Sequence, residues 1–131
     1  MSFQELFQSA DWKSEKHSPV IELEQSPAAE KSAVITVSVG KEIPHPNTSE
    51  HHIAWIDIYF KAEGDKFPYH LGRYEFSAHG ASAAGPNTST IYSEPMVRVC
   101  FKTQKAGTLY ATSYCNIHGL WRSELNIPFG S

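Results

Sequence analysis

A β-sandwich is the fold this sequence predicts, and three observations predict it. From about residue 20 onward, short segments alternate apolar and polar positions. Clusters of Gly, Pro, Ser and Asn separate those segments. A helical period is visible only at the very start of the chain. Seven or so short strands with hardly any helix pack as two sheets rather than as a mixed layer. The expected class is therefore all-β, with a short N-terminal helix.

Ser2-Phe3-Gln4-Glu5 fits a capping box, and Phe3, Leu6 and Phe7 share one helical face. This predicts a helix from Phe3 to about Ser9, read as a plug over one end of the core. Asp11 to Pro19 reads as a loop. Val20 to Glu24 is the first strand, closed by the break at Ser26-Pro27. Ala33 to Val39 follows, with Ile35, Val37 and Val39 on one side and Thr36 and Ser38 on the other. Lys41 to Glu50 is a loop carrying Pro44 and Pro46. Ile53 to Lys61 alternates most clearly: Ala54, Ile56, Ile58 and Phe60 form an apolar face, opposite Asp57 and Lys61. After the turn at Glu63-Gly64-Asp65, Tyr69 to Ser77 is a further strand, and Ala78 to Thr90 is a loop. Met96 to Lys102 and Thr108 to Tyr114 read as a hairpin joined through Lys105-Ala106-Gly107. Trp121 to Ile127 completes the set.

The 131 residues suit one domain with a proper core, expected to run over residues 1–131 without repeat or linker. A net charge of −3 argues against nucleic acid, which calls for a basic stripe. No apolar run approaches the ~20 residues of a membrane span. Met1 to Lys13 lacks a basic start and an apolar h-region, so no signal peptide is expected. The two cysteines, Cys100 and Cys115, allow at most one bridge. Without an export signal they read as reduced thiols, and the expected location is the cytoplasm.

Three clusters carry candidate chemistry. Glu15 and His17 flank Lys16 in the first loop, where an extended backbone would put both on one side. His45 and the pair His51-His52 occupy the second. Pro44 and Pro46 stiffen the chain around His45, which suits a ligand held in place before its metal arrives. His51 shares the parity of Trp55 and Asp57, whereas His52 shares that of the core face and reads as structural. Cys115 and His118 form the third cluster, a thiolate and an imidazole three residues apart at a strand exit. The bland alternative for that pair is a buried free cysteine beside a loop histidine. Cys100 reads as a small buried hydrophobe. His70 and His79 read as surface or loop residues; Trp12, Trp55 and Trp121 could flank a bound metal, but packing is the default for large aromatics.

Taken together, Glu15-Lys16-His17, Ile43-Pro44-His45-Pro46-Asn47, Glu50-His51-His52-Ile53 and the run from Tyr114 to Trp121 resemble the superoxide reductases. The match is to the neelaredoxin type of the desulfoferrodoxin family, over essentially the whole chain. That resemblance implies an immunoglobulin-like sandwich holding one mononuclear non-haem iron, Fe2+ or Fe3+. It implies His17, His45, His51 and His118 as equatorial ligands and Cys115 as the axial one. Glu15 would close the sixth position in the ferric state, and Lys16 would stand beside the open ferrous site. Larger relatives begin with a small iron domain held by four cysteines; no cysteine precedes Cys100, so that second centre is not expected.

The chemistry agrees with the resemblance. Structural zinc takes four ligands, whereas this chain offers four imidazoles, a thiolate and a carboxylate, a set suited to a six-coordinate redox metal. The implied reaction is one-electron reduction of superoxide to hydrogen peroxide, an oxidoreductase activity of oxidative-stress defence. The electron would come from a donor such as rubredoxin, and the family implies a homo-oligomer, four copies being expected. Lys16 would supply positive charge where the anion approaches, an effect worth ~10–10³ in on-rate. The main rival is a cupredoxin-like electron-transfer protein, also a sandwich with a late Cys…His corner. Against it, no methionine follows His118, and Glu15-Lys16-His17 would be idle. A plain interaction module with adventitious metal binding is the second rival.

Overall fold

The alternating segments become strands close to where the sequence places them. In the computed structural model, which describes residues 1–130, β1 spans Pro19–Gln25, β2 Ala33–Val39, β3 Ile53–Ala62 and β4 Tyr69–Glu75. Strand β5 spans Met96–Phe101, β6 Gly107–Cys115 and β7 Gly119–Ile127. They form two antiparallel sheets, ordered β1-β2-β5 and β4-β3-β6-β7. Between them lie Ile35 and Val37 of β2, Ile56 and Ile58 of β3, and Leu109 and Ala111 of β6, all fully buried. Burying each of the larger side chains contributes roughly 1.5–3 kcal/mol, so this alternation is what drives the sheets together.

Three expectations need correction. β5 and β6 are not a hairpin: β5 pairs with β2, while β6 lies between β3 and β7. The inward residues Val97, Val99 and Phe101 meet Val37, Ile35 and Ala33, so the link after β5 crosses from one sheet to the other. A turn signal such as Lys105-Ala106-Gly107 marks a bend but does not say which sheet receives the chain. The helix, α1, is only Phe3–Leu6, capped by Ser2, whose Oγ accepts from Glu5 N at 3.3 Å. It buries nothing, with Phe3 75% exposed, because four residues cannot present an apolar stripe. The chain after it hooks onto β7 instead, Gln8 N donating to Leu120 O and Arg122 N to Gln8 O. Finally, Cys100 is exposed. It shares the outward parity of Met96 and Arg98 on β5, an edge strand whose odd-numbered residues point inward.

Strand pairing gathers the candidate residues at one end of the sandwich. Pro19 pairs with Val39, so the segment before β1 and the loop after β2 leave the first sheet side by side. Ile53 pairs with Cys115, so the start of β3 and the end of β6 meet in the second sheet. Gly40 permits the tight exit from β2. Its φ of +89° suits glycine, and a Cβ there would stand 2.6 Å from the backbone N of His45.

Candidate metal centre

Four imidazoles meet at this end. Their centroids follow one another around a closed circuit: 4.8 Å from His17 to His45, 4.8 Å to His51, 5.0 Å to His118 and 4.7 Å back to His17. Donor atoms of His17, His45, His51 and Cys115 all lie within 4.8 Å of one another. His118 presents Nδ1, which is 3.1 Å from His17 Nε2 and 3.8 Å from Cys115 Sγ.

The backbone fixes each donor by local means. His45 donates from Nδ1 to Pro46 O at 2.7 Å, leaving Nε2 as the free lone pair. Thr48 grips His51 at both backbone groups: its Oγ1 accepts from His51 N at 3.0 Å, and its own N–H donates to His51 O at 2.9 Å. Cys115 is fully buried at the last position of β6, and the N–H of His118 donates to its sulfur at 3.3 Å. Gly119, at φ +84°, turns the chain into β7 and leaves Ile117 and His118 at the surface.

The electrostatics favour neutral ligands. Burial pushes the His45 imidazole down to about 4, helped by the charges of His17, His51 and Lys16 against the bond to Pro46. His51 is lowered by burial and then by His118, His17 and Lys16. Both rings are therefore uncharged near neutrality. Their Nε2 atoms are buried and make no hydrogen bond, which is costly unless something else accepts the lone pairs. A bound cation fits that need.

Glu15 and His17 do meet, as their spacing predicts, but around the far side of the ring. Glu15 Oε1 accepts from His17 N at 2.7 Å and lies 2.7 Å from ring Nδ1, so His17 keeps Nε2 for the cluster. The carboxylate is thus placed outside the circle of donor atoms. Burial raises its pKa, but the bonds from the His17 backbone and ring outweigh that and hold it below the usual range. Lys16 is half-buried, joins none of the ion pairs among the described residues, and lies close enough to depress His45 and His51.

The remaining candidates sort as follows. His52 stays out of the cluster, donating from Nδ1 to Thr48 O at 2.9 Å and stacking on His79 at 3.6 Å. His79 is in a loop but is not idle, its ring lying between Phe76 O and Asn47 Oδ1. His70 sits on β4 against Asp57. Trp55 lies under the Arg73 guanidinium, and Trp12 beside Lys13 and Lys41. Trp121 does more than pack. It stacks on the His17 ring at 5.0 Å and 14°, and its Nε1 donates to His118 O at 3.3 Å. Asn116 and Thr48 were also missed. Polar residues within or three positions from a ligand motif were the available signal, but the spacing does not say what their side chains reach.

Blue copper uses two histidines, one cysteine and a weak axial ligand. Four imidazoles around one thiol exceed that set, so the cupredoxin reading is not favoured. The desulfoferrodoxin family profile matches residues 9–124. The chain is 56% identical over 123 residues to the superoxide reductase of Pyrococcus furiosus, covering 94% of this chain and 97% of that one. It is 54% identical over 124 residues to the neelaredoxin of Megalodesulfovibrio gigas, covering 95% of each. Its backbone superposes on the superoxide reductase (neelaredoxin) of Archaeoglobus fulgidus in the reduced form with a TM-score of 0.90, at 58% identity, covering 94% of this chain and 98% of that one. The clustered imidazoles and thiol, the profile match and the full-length likeness lead to one conclusion: the chain belongs to the desulfoferrodoxin family and is of its neelaredoxin type.

Proposed function

We propose that this chain is a superoxide reductase holding one iron ion through His17, His45, His51, His118 and Cys115, as a single functional unit over residues 1–131. The observation that carries the reading is the closed circuit of four imidazoles beside a buried thiol, with two ring nitrogens buried and unpaired. Iron held there would supply the one electron that, with two protons, converts superoxide to hydrogen peroxide.

The side chains do the rest. Neutral imidazoles add no negative charge, so the centre attracts an anion even though the protein carries a net charge of −3. Lys16 adds a local positive charge and raises the encounter rate. Burial of Cys115 excludes water from its sulfur, and the His118 N–H orients it. Ile117, 58% exposed, and His118 leave the rim of the site accessible to small anions. Glu15 is placed to act on this site too. Both of its contacts with His17 fall on Oε1, and closing a sixth coordination position would require the carboxylate to turn toward the circle of donor atoms.

The same reading assigns the electron to an external carrier such as a rubredoxin. It places the chain in the cytoplasm, where a thiol such as Cys115 stays reduced. No helix among the described residues is long and apolar enough to cross a membrane. A homotetramer is the assembly we propose; Phe67 and Tyr69 beside or on the edge strand β4 leave exposed apolar surface for contact between copies. Light scattering tests that assembly.

The test of function is metal analysis followed by superoxide consumption with and without a reduced donor. About one iron per chain, about one peroxide per superoxide and turnover that stops without the donor are expected. Fast donor-independent oxygen release, at about one oxygen per two superoxides, would make the protein a dismutase and overturn the reading.

A further inference from the structure

Asn116 grips the His51 segment on both sides. Its Nδ2 donates to Glu50 O at 2.8 Å, and its Oδ1 accepts from His52 N at 2.8 Å. These groups belong to the peptide units immediately before and after His51. The backbone N–H of Asn116 also donates to His52 O at 3.2 Å. Asn116 is itself bonded covalently to Cys115. Thr48 fixes the His51 backbone as well, but it lies in the same loop and cannot set where that loop stands relative to Cys115. The pairing of Ile53 with Cys115 and the bond from Asn116 N hold the segment from its β3 side, and the side-chain amide adds a contact on each side of His51 itself. Only a carboxamide offers a donor and an acceptor side by side, so Asp keeps half of this grip and Leu none.

We infer that Asn116 is a positioning residue that sets the separation between the His51 ring and the Cys115 sulfur, and so controls how strongly the thiolate engages the metal. The inference rests on the ligand set proposed above. Partners that orient metal-binding side chains typically change affinity by about 10–100-fold when removed.

The test uses the full-length, iron-loaded protein and the variants Asn116→Leu and Asn116→Asp. Iron affinity is read by competition with a chelator, and the thiolate environment by the visible thiolate-to-ferric absorption. Thermal unfolding reports stability separately. Asn116→Leu should bind iron about 10–100-fold more weakly and show a displaced absorption band. Asn116→Asp should show smaller changes in the same direction. The control is Asn87→Ala. Its side chain braces the same loop from outside, through Ser49 N and the Glu50 carboxylate. That variant should lower the melting temperature while leaving band and affinity unchanged. Parental affinity and band in Asn116→Leu would overturn the inference, as would equal band shifts in Asn116→Leu and Asn87→Ala. If Asn116→Leu does not fold, a parental band in Asn116→Asp overturns it alone. A parent protein with no thiolate absorption when iron-loaded would instead overturn the ligand set, a result read before any variant is made.

Discussion

Replacing Glu15 with alanine removes the oxygen that holds His17 at two points, its backbone N–H and its ring, each at 2.7 Å. A hydrogen bond to a charged group contributes about 1.5–3 kcal/mol. His17 is buried and both contacts are lost, but only the ring contact acts on the side chain that offers Nε2. At about 1.4 kcal/mol per tenfold in affinity, that loss corresponds to roughly 10–100-fold weaker metal binding. Trp121 still stacks on the ring at 5.0 Å and limits its rotation, which favours the lower part of that range. The assay is competition between the protein and a calibrated chelator for ferrous iron. Glu15→Gln keeps an acceptor at the same reach and should fall between parent and Glu15→Ala. Parental ferrous affinity in Glu15→Ala would refute the reasoning and leave Trp121 as the residue that holds His17. Titrating the ferric variant with azide examines the other role of Glu15: tighter binding than in the parent is expected if the carboxylate also closes the sixth position.

Cys115→Ser should abolish the visible absorption and most activity while far-UV circular dichroism stays parental; an unchanged spectrum would remove Cys115 from the ligand set. Lys16→Ala should slow reaction with superoxide at low ionic strength and flatten its salt dependence, because the approaching anion loses a local charge. Pulse radiolysis across salt concentrations checks this, and a parental rate at low salt would make Lys16 a bystander. Asp57→Ala should lower stability by about 1–3 kcal/mol without touching the spectrum, since the buried carboxylate accepts from Arg73 and His70. Burial raises the Asp57 pKa, but those two partners hold it below its ordinary value of 3.8. Its stabilisation is therefore complete above that value and is lost as pH falls through the lower folded one. Acid unfolding of the variant should show a correspondingly shallower loss below about pH 4.

Much of this was legible because burial in a sandwich writes itself as alternation. Ile35 and Val37, or Ile56 and Ile58, announce both a strand and its inner face. Residue type misled at Cys100: a free cysteine usually reads as buried, whereas this one shares the outward parity of Arg98 on β5, an edge strand by its pairing. Pairing is a long-range property, and it also decided against the β5–β6 hairpin. At the site, residue type and spacing identify the donors, because imidazole and thiolate carry their chemistry wherever they are placed. They do not reveal the supporting contacts. Nothing in the spacing of Glu15 and His17 says that the carboxylate turns to Nδ1, and nothing local to Trp121 says that it lies flat on a ring more than a hundred residues earlier in the chain.

The two sheets contribute to the site from opposite sides. His17 precedes β1 and His45 follows β2, both strands of the first sheet. His51 precedes β3, and Cys115 and His118 lie at the end of β6, in the second. A metal bound to all of them is a cross-link between the sheets at one end of the sandwich. Other contacts already bridge the same gap: Ser113 Oγ donates to His17 O at 3.4 Å, and Trp121, bonded to His118 O in the β6–β7 turn, stacks on the His17 ring. Binding to the folded chain alone stabilises it in proportion to the logarithm of metal concentration over Kd, about 2.7 kcal/mol at a hundredfold excess. At the opposite end, where Phe60 packs on Phe101, the sheets are held by apolar contact and by the bond from Gly130 N to Pro27 O at 2.9 Å. Removing the metal should therefore loosen the sandwich from the site end, first in the segments around His17 and His45, while the strands through Ile35 and Ile58 keep their protection against hydrogen exchange.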